Sequence, residues 1–211
     1  MLFKSRFGTP GQLSRLLILI LLLLFVLSGS TASFAKNKLE SWYTYWGIGY
    51  ANPSYPSELQ EVLDRVKTVP GTMNLSLSLD LLGFYFPLDE KTILGVILNV
   101  WGDRYQADFQ RGNDYMQLNG YLYSASFMHF LSARIGQGLF IRGDLGPSRL
   151  VLDSSDSGMT ASDWGYGGLL GAGIGLPVSA GTRILFNINY SIRKIEGDSF
   201  NALQISIGGL F

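Results

Sequence analysis

The chain contains no cysteine, one histidine and few charged residues. Without cysteine it can form neither disulfide bonds nor thiolate metal sites, and it lacks the thiol that a lipid anchor needs. Charged residues make up 15% of its 211 residues and are balanced, at 16 basic and 16 acidic. This balance favours neither nucleic acid nor an anionic membrane surface as a partner. Hydrophobic residues nevertheless make up 47% of the chain.

Long apolar runs are also absent, except near the N-terminus. Basic residues precede an apolar stretch of twelve residues, 16–27, and small residues up to Ala35 offer a cleavage site. This layout predicts a secretory signal peptide over residues 1–35 and a mature chain over residues 36–211. The stretch is shorter than the ~20 residues that a spanning helix needs; an uncleaved inner-membrane anchor is the alternative. The predicted mature chain holds 13 basic and 16 acidic residues, because all three leader charges are basic.

Eight stretches of the predicted mature chain have strand character. Their apolar and polar residues alternate with a period of two, as in a strand with one apolar face. The alternation is clearest in the second stretch, where Leu75 and Leu77 alternate with Ser76 and Ser78, and the facing of the fourth is ambiguous. The stretches are residues 41–50, 72–86, 92–101, 115–131, 139–152, 164–176, 182–193 and 201–211.

The connections between these stretches alternate in length. Tight turns follow the second, fourth and sixth stretches, at residues 87–91, 132–138 and 177–181. Longer polar connections follow the first, third and fifth stretches, at residues 51–71, 102–114 and 153–163. The last connection is short, with Gly197 supplying the turn. Short turns at one rim and long loops at the other are typical of a single-chain outer-membrane barrel.

Aromatic residues near the strand ends favour a membrane barrel over a soluble one. A soluble periplasmic barrel of the lipocalin type, with its apolar face inward, is the alternative. Alternation alone does not say which face is inside, but aromatic girdles belong at bilayer interfaces. The residues expected in the girdles are Trp42, Trp46, Tyr50, Phe84, Phe86, Trp101, Trp164, Tyr166 and Phe211.

The last stretch alternates up to the terminal Phe211. This ending resembles the C-terminal signature of outer-membrane β-barrels that the barrel assembly machinery reads, and Phe211 stands at the terminal position of that signature. The predicted mature chain as a whole resembles the small OmpA/OmpX-type superfamily. The resemblance implies an all-β fold, an eight-stranded antiparallel up-and-down transmembrane β-barrel in the outer membrane of a Gram-negative cell. Outer-membrane lipid and the assembly machinery are the implied partners, and no nucleic acid is expected.

Four charged residues lie inside predicted strands on the polar parity. Facing lipid near the midplane, each would cost ~2–4 kcal/mol, so we expect them to face the lumen and pair with one another. Polar neighbours (Asn99, Asn187, Asn189, Gln204) would complete the hydrogen bonds. A small ion pathway is the alternative, although eight strands leave a lumen only wide enough for side chains. The four residues of this predicted lumen network are Asp80, Arg142, Asp144 and Arg183.

One segment of the first outer loop has helical periodicity. Residues 56–69 place apolar side chains at 3.6-residue spacing, and these are Leu59, Val62, Leu63 and Val66. Ser57 is the expected cap, with Gln60 in the capping-box position. This departure from the compact family pattern predicts either a lid over the barrel mouth or an adhesive element.

Few residues could carry chemistry. His129 is the sole histidine, and Ser132, the nearest hydroxyl downstream, would point to the opposite face. One histidine without cysteine supplies too few ligands for a metal, and the glycine-rich residues 165–175 lack the lysine of a phosphate loop. We therefore expect no catalytic, metal or cofactor site. The expected function is a non-enzymatic structural or surface-interaction role of a monomer. A narrow channel or carrier for small molecules and an envelope-lipid-modifying enzyme are the alternatives.

Overall fold

The protein is a barrel of antiparallel strands. The computed structural model describes residues 40–109, 112–131 and 134–211, and the predicted signal peptide lies outside them. In the part of the chain so described, no helix is long and apolar enough to cross a bilayer. The elements are β1 (Tyr43–Ser54), α1 (Ser57–Lys67), β2 (Met73–Pro87), β3 (Thr92–Phe109), β4 (Gly112–Phe130), β5 (Gly138–Ser154), β6 (Gly158–Ala161), β7 (Gly165–Pro177), β8 (Arg183–Ile195) and β9 (Asp198–Leu210).

Eight of these strands form the wall. Each wall strand pairs with the next wall strand along the chain, β1 pairs with β9, and the β4–β5 ladder leaves no open edge in the ring. The short β6 is the exception, since it pairs with the outer end of β5 and adds no strand to the ring. The predicted eight-stranded up-and-down barrel is confirmed.

The outer face of the wall is apolar and the inner face holds the charges. Leu75, Ile188 and Ile205 expose 57–59% of their surface, whereas Asp80 and Gln204 expose at most 1%. An apolar belt of this kind is stable in hydrocarbon, where a closed ring satisfies every ladder hydrogen bond. The barrel is therefore of the outer-membrane type, and the lipocalin alternative is wrong.

The predicted aromatic girdles hold with one exception. Eight of the nine aromatic residues are exposed on the outer face, from Phe84 at 37% to Tyr166 at 66%. Trp101 is instead fully buried in the lumen. The prediction placed it at a strand end, but β3 continues for eight residues beyond it.

Two predicted outer loops are largely strand. Residues 102–109 and 112–114 extend the β3–β4 hairpin, and residues 153–163 form a hairpin in which β6 pairs with β5. β1 likewise runs to Ser54, beyond its predicted end at Tyr50. The sequence pattern missed these extensions because strands that rise above the bilayer no longer have a lipid-facing side, and the alternation fades there.

A bulge in β2 changes which parity faces the lumen. Leu82 has a φ of +53°, and the register with β1 and β3 shifts around it. Before the bulge, Ser78 and Asp80 face inward; after it, Tyr85 does. Such a bulge inserts unpaired residues and redirects the side chains that follow. It explains why Phe84 lies on the outer face even though its parity is that of Asp80.

The two rims differ in their connections. Residues 88–91, 131–137 and 178–182 connect strands at one rim, which we call the turn rim; the opposite one is the loop rim. In outer-membrane barrels the short turns face the periplasm. The one tight connection at the loop rim is Glu196–Gly197, where both residues have positive φ, as a type I′ hairpin requires. The predicted role of Gly197 is confirmed.

The lumen is filled in three layers. Near the turn rim lies an apolar and aromatic cluster (Tyr43, Tyr45, Tyr85, Ile93, Ile97, Met128, Phe130, Ile135, Phe140, Leu185, Leu210). Polar and charged side chains occupy the middle. Near the loop rim lies a second apolar cluster (Ala51, Leu63, Trp101, Tyr105, Leu118, Ile195, Phe200, Ala202). The expectation of a polar inner face therefore holds only for the middle layer.

Candidate functional site

The mid-lumen cluster is centred on Arg142. Its guanidinium donates to Asp80 across the barrel, at 2.8 Å from Nη1 and 2.9 Å from Nη2. It also donates to Asp144 on its own strand, at 2.6 Å from Nη2 and 3.1 and 3.0 Å from Nε. All three side chains are shielded from solvent. One arginine thus joins two carboxylates and connects β5 to β2 through the lumen.

Neutral side chains extend this cluster around the ring. Asn99 donates to Asp80 at 2.9 Å and to Gln204 at 3.0 Å. Gln204 also accepts from Ser78 at 3.0 Å and donates to Ser191 at 3.1 Å. These bonds link β2, β3, β8 and β9. Together with the bonds of Arg142 on β5, they make a polar layer that reaches across the barrel.

A second branch runs from Asp144 toward the turn rim. Ser126 donates to Asp144, and Tyr85 donates to Ser126 at 2.8 Å. On the other side, Asn187 donates to the Tyr45 hydroxyl at 3.0 Å. The rings of Tyr45 and Tyr85 pack in the apolar cluster near the turn rim, and their hydroxyl oxygens point to the charges. These tyrosines therefore join the polar middle layer to that cluster.

Arg183 lies in the lumen but apart from the other three charged residues predicted to form the network. Its Nη1 donates to the carbonyl of Gly181 at 3.0 Å, and its guanidinium lies 5.3 Å from the centre of the Tyr43 ring. The structure thus brings together Asp80, Arg142 and Asp144 and places Arg183 at the turn rim.

Two charged residues near the loop rim were not among those predicted. Arg193 is fully buried above the Trp101 ring, at 5.4 Å from its centre, and donates to Asn99 Oδ1 at 2.6 Å. Its Nε and Nη1 atoms have no hydrogen-bond partner. Its parity could have identified it from the sequence, because Arg193 shares the lumen-facing parity of Arg183 on β8. Gly120 and Gly167 face it: a Cβ on Gly120 would collide with its Nη1, and one on Gly167 would lie 3.1 Å from its Cγ.

Asp103 is the second charged residue that the sequence analysis did not select. It is buried, and its carboxylate accepts from four neutral groups: Tyr55 at 2.8 Å, Tyr105 at 2.7 Å, Asn74 at 2.7 Å and Ser76. Burial raises the pKa of the Tyr55 hydroxyl far above its usual range, and the adjacent Asp103 charge adds to this. Tyr55 therefore stays protonated and remains a donor. The sequence placed Asp103 in a loop, which concealed this role.

Helix α1 closes the loop rim. Leu63 is completely buried in the loop-rim cluster, and Leu59 and Val66 pack against its edge. Tyr55, just before the helix, packs edge-on to Trp101 at 5.9 Å. The predicted helix exists, but Val62 is 47% exposed and does not join the apolar contact. The capping prediction is also wrong, because Pro56 occupies the N-cap position, Ser57 is already helical and no side chain caps it.

The outer face of the helix carries its own charge pairs. Lys67 lies 3.1 Å from Asp64, and Arg65 lies 3.3 Å from Glu61. Hydrogen bonds from Lys67 and Gln60 lower the pKa of Asp64. Such exposed pairs stabilise a helix only slightly. The docking of α1 therefore depends on its buried face.

His129 lies on the outer face of β4. Its Nδ1 is 3.0 Å from the hydroxyl of Thr92, and its ring stacks against Phe127 with centres 6.3 Å apart. Ser132 lies outside the described residues. Within residues 40–109, 112–131 and 134–211, no group of three or more His, Asp or Glu side chains is arranged to hold a metal ion.

The glycines of β7 give room to large lumen side chains. A Cβ on Gly171 would collide with Asn189, and one on Gly173 would lie 2.6 Å from the Phe140 ring. Leu169, two residues before Gly171 on the same strand, is buried in the lumen. This agrees with a packing role for the glycine-rich stretch in a narrow barrel.

Phe211 completes the wall beside β1. Its backbone exchanges two hydrogen bonds of 3.0 Å with Thr44, and its ring stacks on Trp46 at 5.9 Å. The terminal residue is thus in the ladder and in the girdle.

Comparisons with known proteins yield similar solved structures, whereas no protein-family model and no curated protein matches the sequence. One structure is Ail, the attachment invasion locus protein of Yersinia pestis, at 14% identity over 82% of this chain and 100% of that one, with a TM-score of 0.46. Neisserial surface protein A follows at 13% identity, 82% and 97% coverage and a TM-score of 0.49. OprG from Pseudomonas aeruginosa shares 11% identity over 83% and 98%, with a TM-score of 0.40. No residue role follows from similarity at this level, and the fold is established by the strand pairing itself.

Proposed function

We propose that this protein is a non-enzymatic component of a Gram-negative outer membrane, with a closed lumen and a structural or surface-interaction role. The observation that carries the proposal is the bridge from Asp80 through Arg142 to Asp144, which crosses the lumen at its middle. An ion would have to break this bridge to pass. The apolar clusters above and below add two further barriers, because they offer no hydration to a permeating ion.

The surface-interaction part of the proposal is supported by the uneven loop rim. The β3–β4 hairpin continues for eight residue pairs beyond Trp101, whereas β8 and β9 are joined by the tight turn at Glu196–Gly197. The β5–β6 hairpin rises beside β4. One side of the barrel therefore presents a raised sheet outside the bilayer, where loops and hairpins on a rigid scaffold commonly carry binding.

The test of the closed lumen is conductance of the refolded barrel in a planar bilayer. We expect no steady conductance from the native chain. A variant in which residues 56–71 are replaced by a short Gly-Ser turn should also be silent, because the Arg142 bridge lies below the lid. This excision starts after β1 ends, so the wall pairing is kept. Steady conductance of the native chain would overturn the proposal in favour of a narrow channel.

The assembly machinery is the proposed partner of the C-terminal strand. Deletion of Phe211 should leave unfolded precursor in the periplasm, since the terminal aromatic resembles the element that the machinery reads and also occupies the ladder opposite Thr44. Phe211→Tyr, which keeps an aromatic ring, is the matched control. Heat-modifiable migration in outer-membrane fractions measures both variants; normal levels after deletion would contradict the prediction.

A further inference from the structure

The lipid-facing belt contains a depression among its large side chains. Three small residues on neighbouring strands form its floor: Ala125 on β4, Gly143 on β5 and Gly168 on β7. The depression has a volume of about 560 Å³. We call it the belt groove.

Large apolar side chains surround this floor. The residues that pair across neighbouring strands form two rows over the wall here. One row runs from Leu94 through Phe127 and Leu170 to Tyr190. The next row contains Leu145 and Ile192. The lining thus extends over five wall strands, which at ~4.8 Å per strand amounts to about 19 Å. This length is comparable to that of an extended fatty acyl chain.

The groove offers no charged side chain to an occupant. Ser126 and Asp144 contribute to its lining, but their side chains turn to the lumen, where they hydrogen-bond to each other. The groove is continuous with the apolar belt, whose surroundings are hydrocarbon in the proposed outer-membrane location. An occupant must therefore be apolar and must come from within the bilayer.

We propose that the belt groove is a binding site for one acyl chain of a phospholipid. Between apolar groups inside a membrane the attraction is van der Waals packing, which favours surfaces that contact a partner on several sides. A flat belt contacts a chain on one side only, whereas the groove adds contacts from Phe127, Leu145 and Leu170 to those of its floor. The wall of a second barrel is convex, whereas a thin chain can follow the glycine floor along its length.

One side of the groove lies toward the turn rim, and this indicates phospholipid. Phe127 and Gly143 are the fourth and sixth residues from the turn-rim ends of β4 and β5, whereas Gly168 and Ile192, on the far side of the groove, are each the fourth residue from the loop-rim ends of β7 and β8. In outer-membrane barrels the short turns face the periplasm, and the periplasmic leaflet is composed of phospholipid. The β4–β5 side of the groove is thus open to that leaflet, and a phospholipid chain can enter the groove from there.

Gly143 allows a clean test. A Cβ added there would meet only Leu170 Cδ2, at 3.9 Å, so a side chain can enter the groove without a backbone clash. Gly143→Phe should fill the groove. Ile48→Phe, on the exposed face of β1, adds an aromatic ring to the belt outside the groove and is the control.

The experiment uses the full barrel in vesicles of phosphatidylethanolamine and phosphatidylglycerol, with a trace of phosphatidylethanolamine that carries a mid-chain diazirine. After photolysis, we expect lipid adducts concentrated on the β4, β5 and β7 peptides that form the floor. Gly143→Phe should reduce them several-fold, whereas Ile48→Phe should leave them unchanged. Heat-modifiable migration of each variant is checked first, so that failure of membrane insertion, which would count against the proposed location, is distinguished from failure of the groove.

Three results would overturn the proposal. Adducts spread around the belt in proportion to exposure would mean that the groove is not a site. Protein–protein crosslinks lost in Gly143→Phe would identify a second copy as the occupant. In asymmetric vesicles with lipopolysaccharide in the outer leaflet, loss of the phospholipid adducts would identify lipopolysaccharide as the source.

Discussion

The middle of the lumen and its loop-rim end both bury charges, but they stabilise them differently. In the mid-lumen cluster, Arg142 lies between two carboxylates and bonds to both. At the loop rim, Asp103 has only neutral donors, and Arg193 has an amide and an indole ring. The first region consists of ion pairs and the second of separate charges, each solvated by its own neighbours.

The difference determines how each region should respond to the loss of one member. A buried ion pair that loses one partner leaves an uncompensated charge, which is costly. When a charge accepts hydrogen bonds from several neutral groups, or donates them to such groups, the loss of one group removes one hydrogen bond and leaves the others in place. Among the described residues the buried lumen charges still balance in sign, with three aspartates (Asp80, Asp103, Asp144) and three arginines (Arg142, Arg183, Arg193).

The largest effect is expected from Arg142→Ala. This change leaves Asp80 and Asp144 buried without a cation and should lower the free energy of unfolding by about 3–5 kcal/mol. Urea unfolding of the barrel in phospholipid vesicles, followed by tryptophan fluorescence and by gel mobility, measures it. A loss below that of an average surface substitution would mean that water reaches these carboxylates.

A double-mutant cycle isolates the ion pairs. Asp144→Asn combined with Arg142→Ala should recover part of the loss, with a coupling of about 0.5–3 kcal/mol. Asp103→Asn combined with Arg142→Ala is the control, because Asp103 makes no bond to Arg142 and the two effects should add. Additivity in both cycles would remove the distinction between the regions.

A smaller effect is expected from Arg193→Met. The change removes the hydrogen bonds of Arg193 Nη2 to the Oδ1 and backbone oxygen of Asn99 and a cation–π contact, each worth about 1–2 kcal/mol, but it also removes a buried charge that has no ion-pair partner. The unfolding free energy should therefore change by less than in Arg142→Met, measured by the same urea titration. Equal losses in the two variants would show that Arg193 has a strong partner after all.

The smallest effect is expected from Tyr55→Phe. Asp103 would lose one of four donors, at a cost of about 1.5 kcal/mol, and the junction between β1 and α1 would loosen. Hydrogen–deuterium exchange of the backbone amides of α1 should accelerate while that of the wall strands stays unchanged. Tyr50→Phe, on the exposed face of β1, is the control and should alter neither.

Much of the wall could be predicted from the sequence because lipid and lumen impose opposite requirements on alternate residues. The parity of Asp80, Arg142 and Asp144 indicated a lumen location, and all three are buried there. The pattern did not reveal that Arg183 would lie with Tyr43 at the turn rim, since partners across a lumen depend on register and shear. The alternation of apolar and polar residues also did not predict the β2 bulge at Leu82.

The loop rim was harder to predict for a physical reason. Above the bilayer both faces of a strand meet water or a lid, so alternation stops being informative. Asp103 and Trp101 were consequently assigned to a loop and a girdle, although β3 carries both into the lumen beneath α1. The apolar spacing of α1 was visible, but its exposed Val62 shows that spacing alone overestimates the buried face.

The central claim, that side chains fill the lumen and exclude solvent, is most directly tested by thiol accessibility. The native chain has no cysteine, so Ser191→Cys and Ser157→Cys each carry a single thiol. Ser191 is fully buried in the lumen, and Ser157 lies in the exposed turn between β5 and β6. With a small charged methanethiosulfonate reagent, we expect rapid labelling of Ser157→Cys and none of Ser191→Cys until the barrel is unfolded. Labelling of Ser191→Cys in the folded barrel at the rate of Ser157→Cys would contradict the closed lumen.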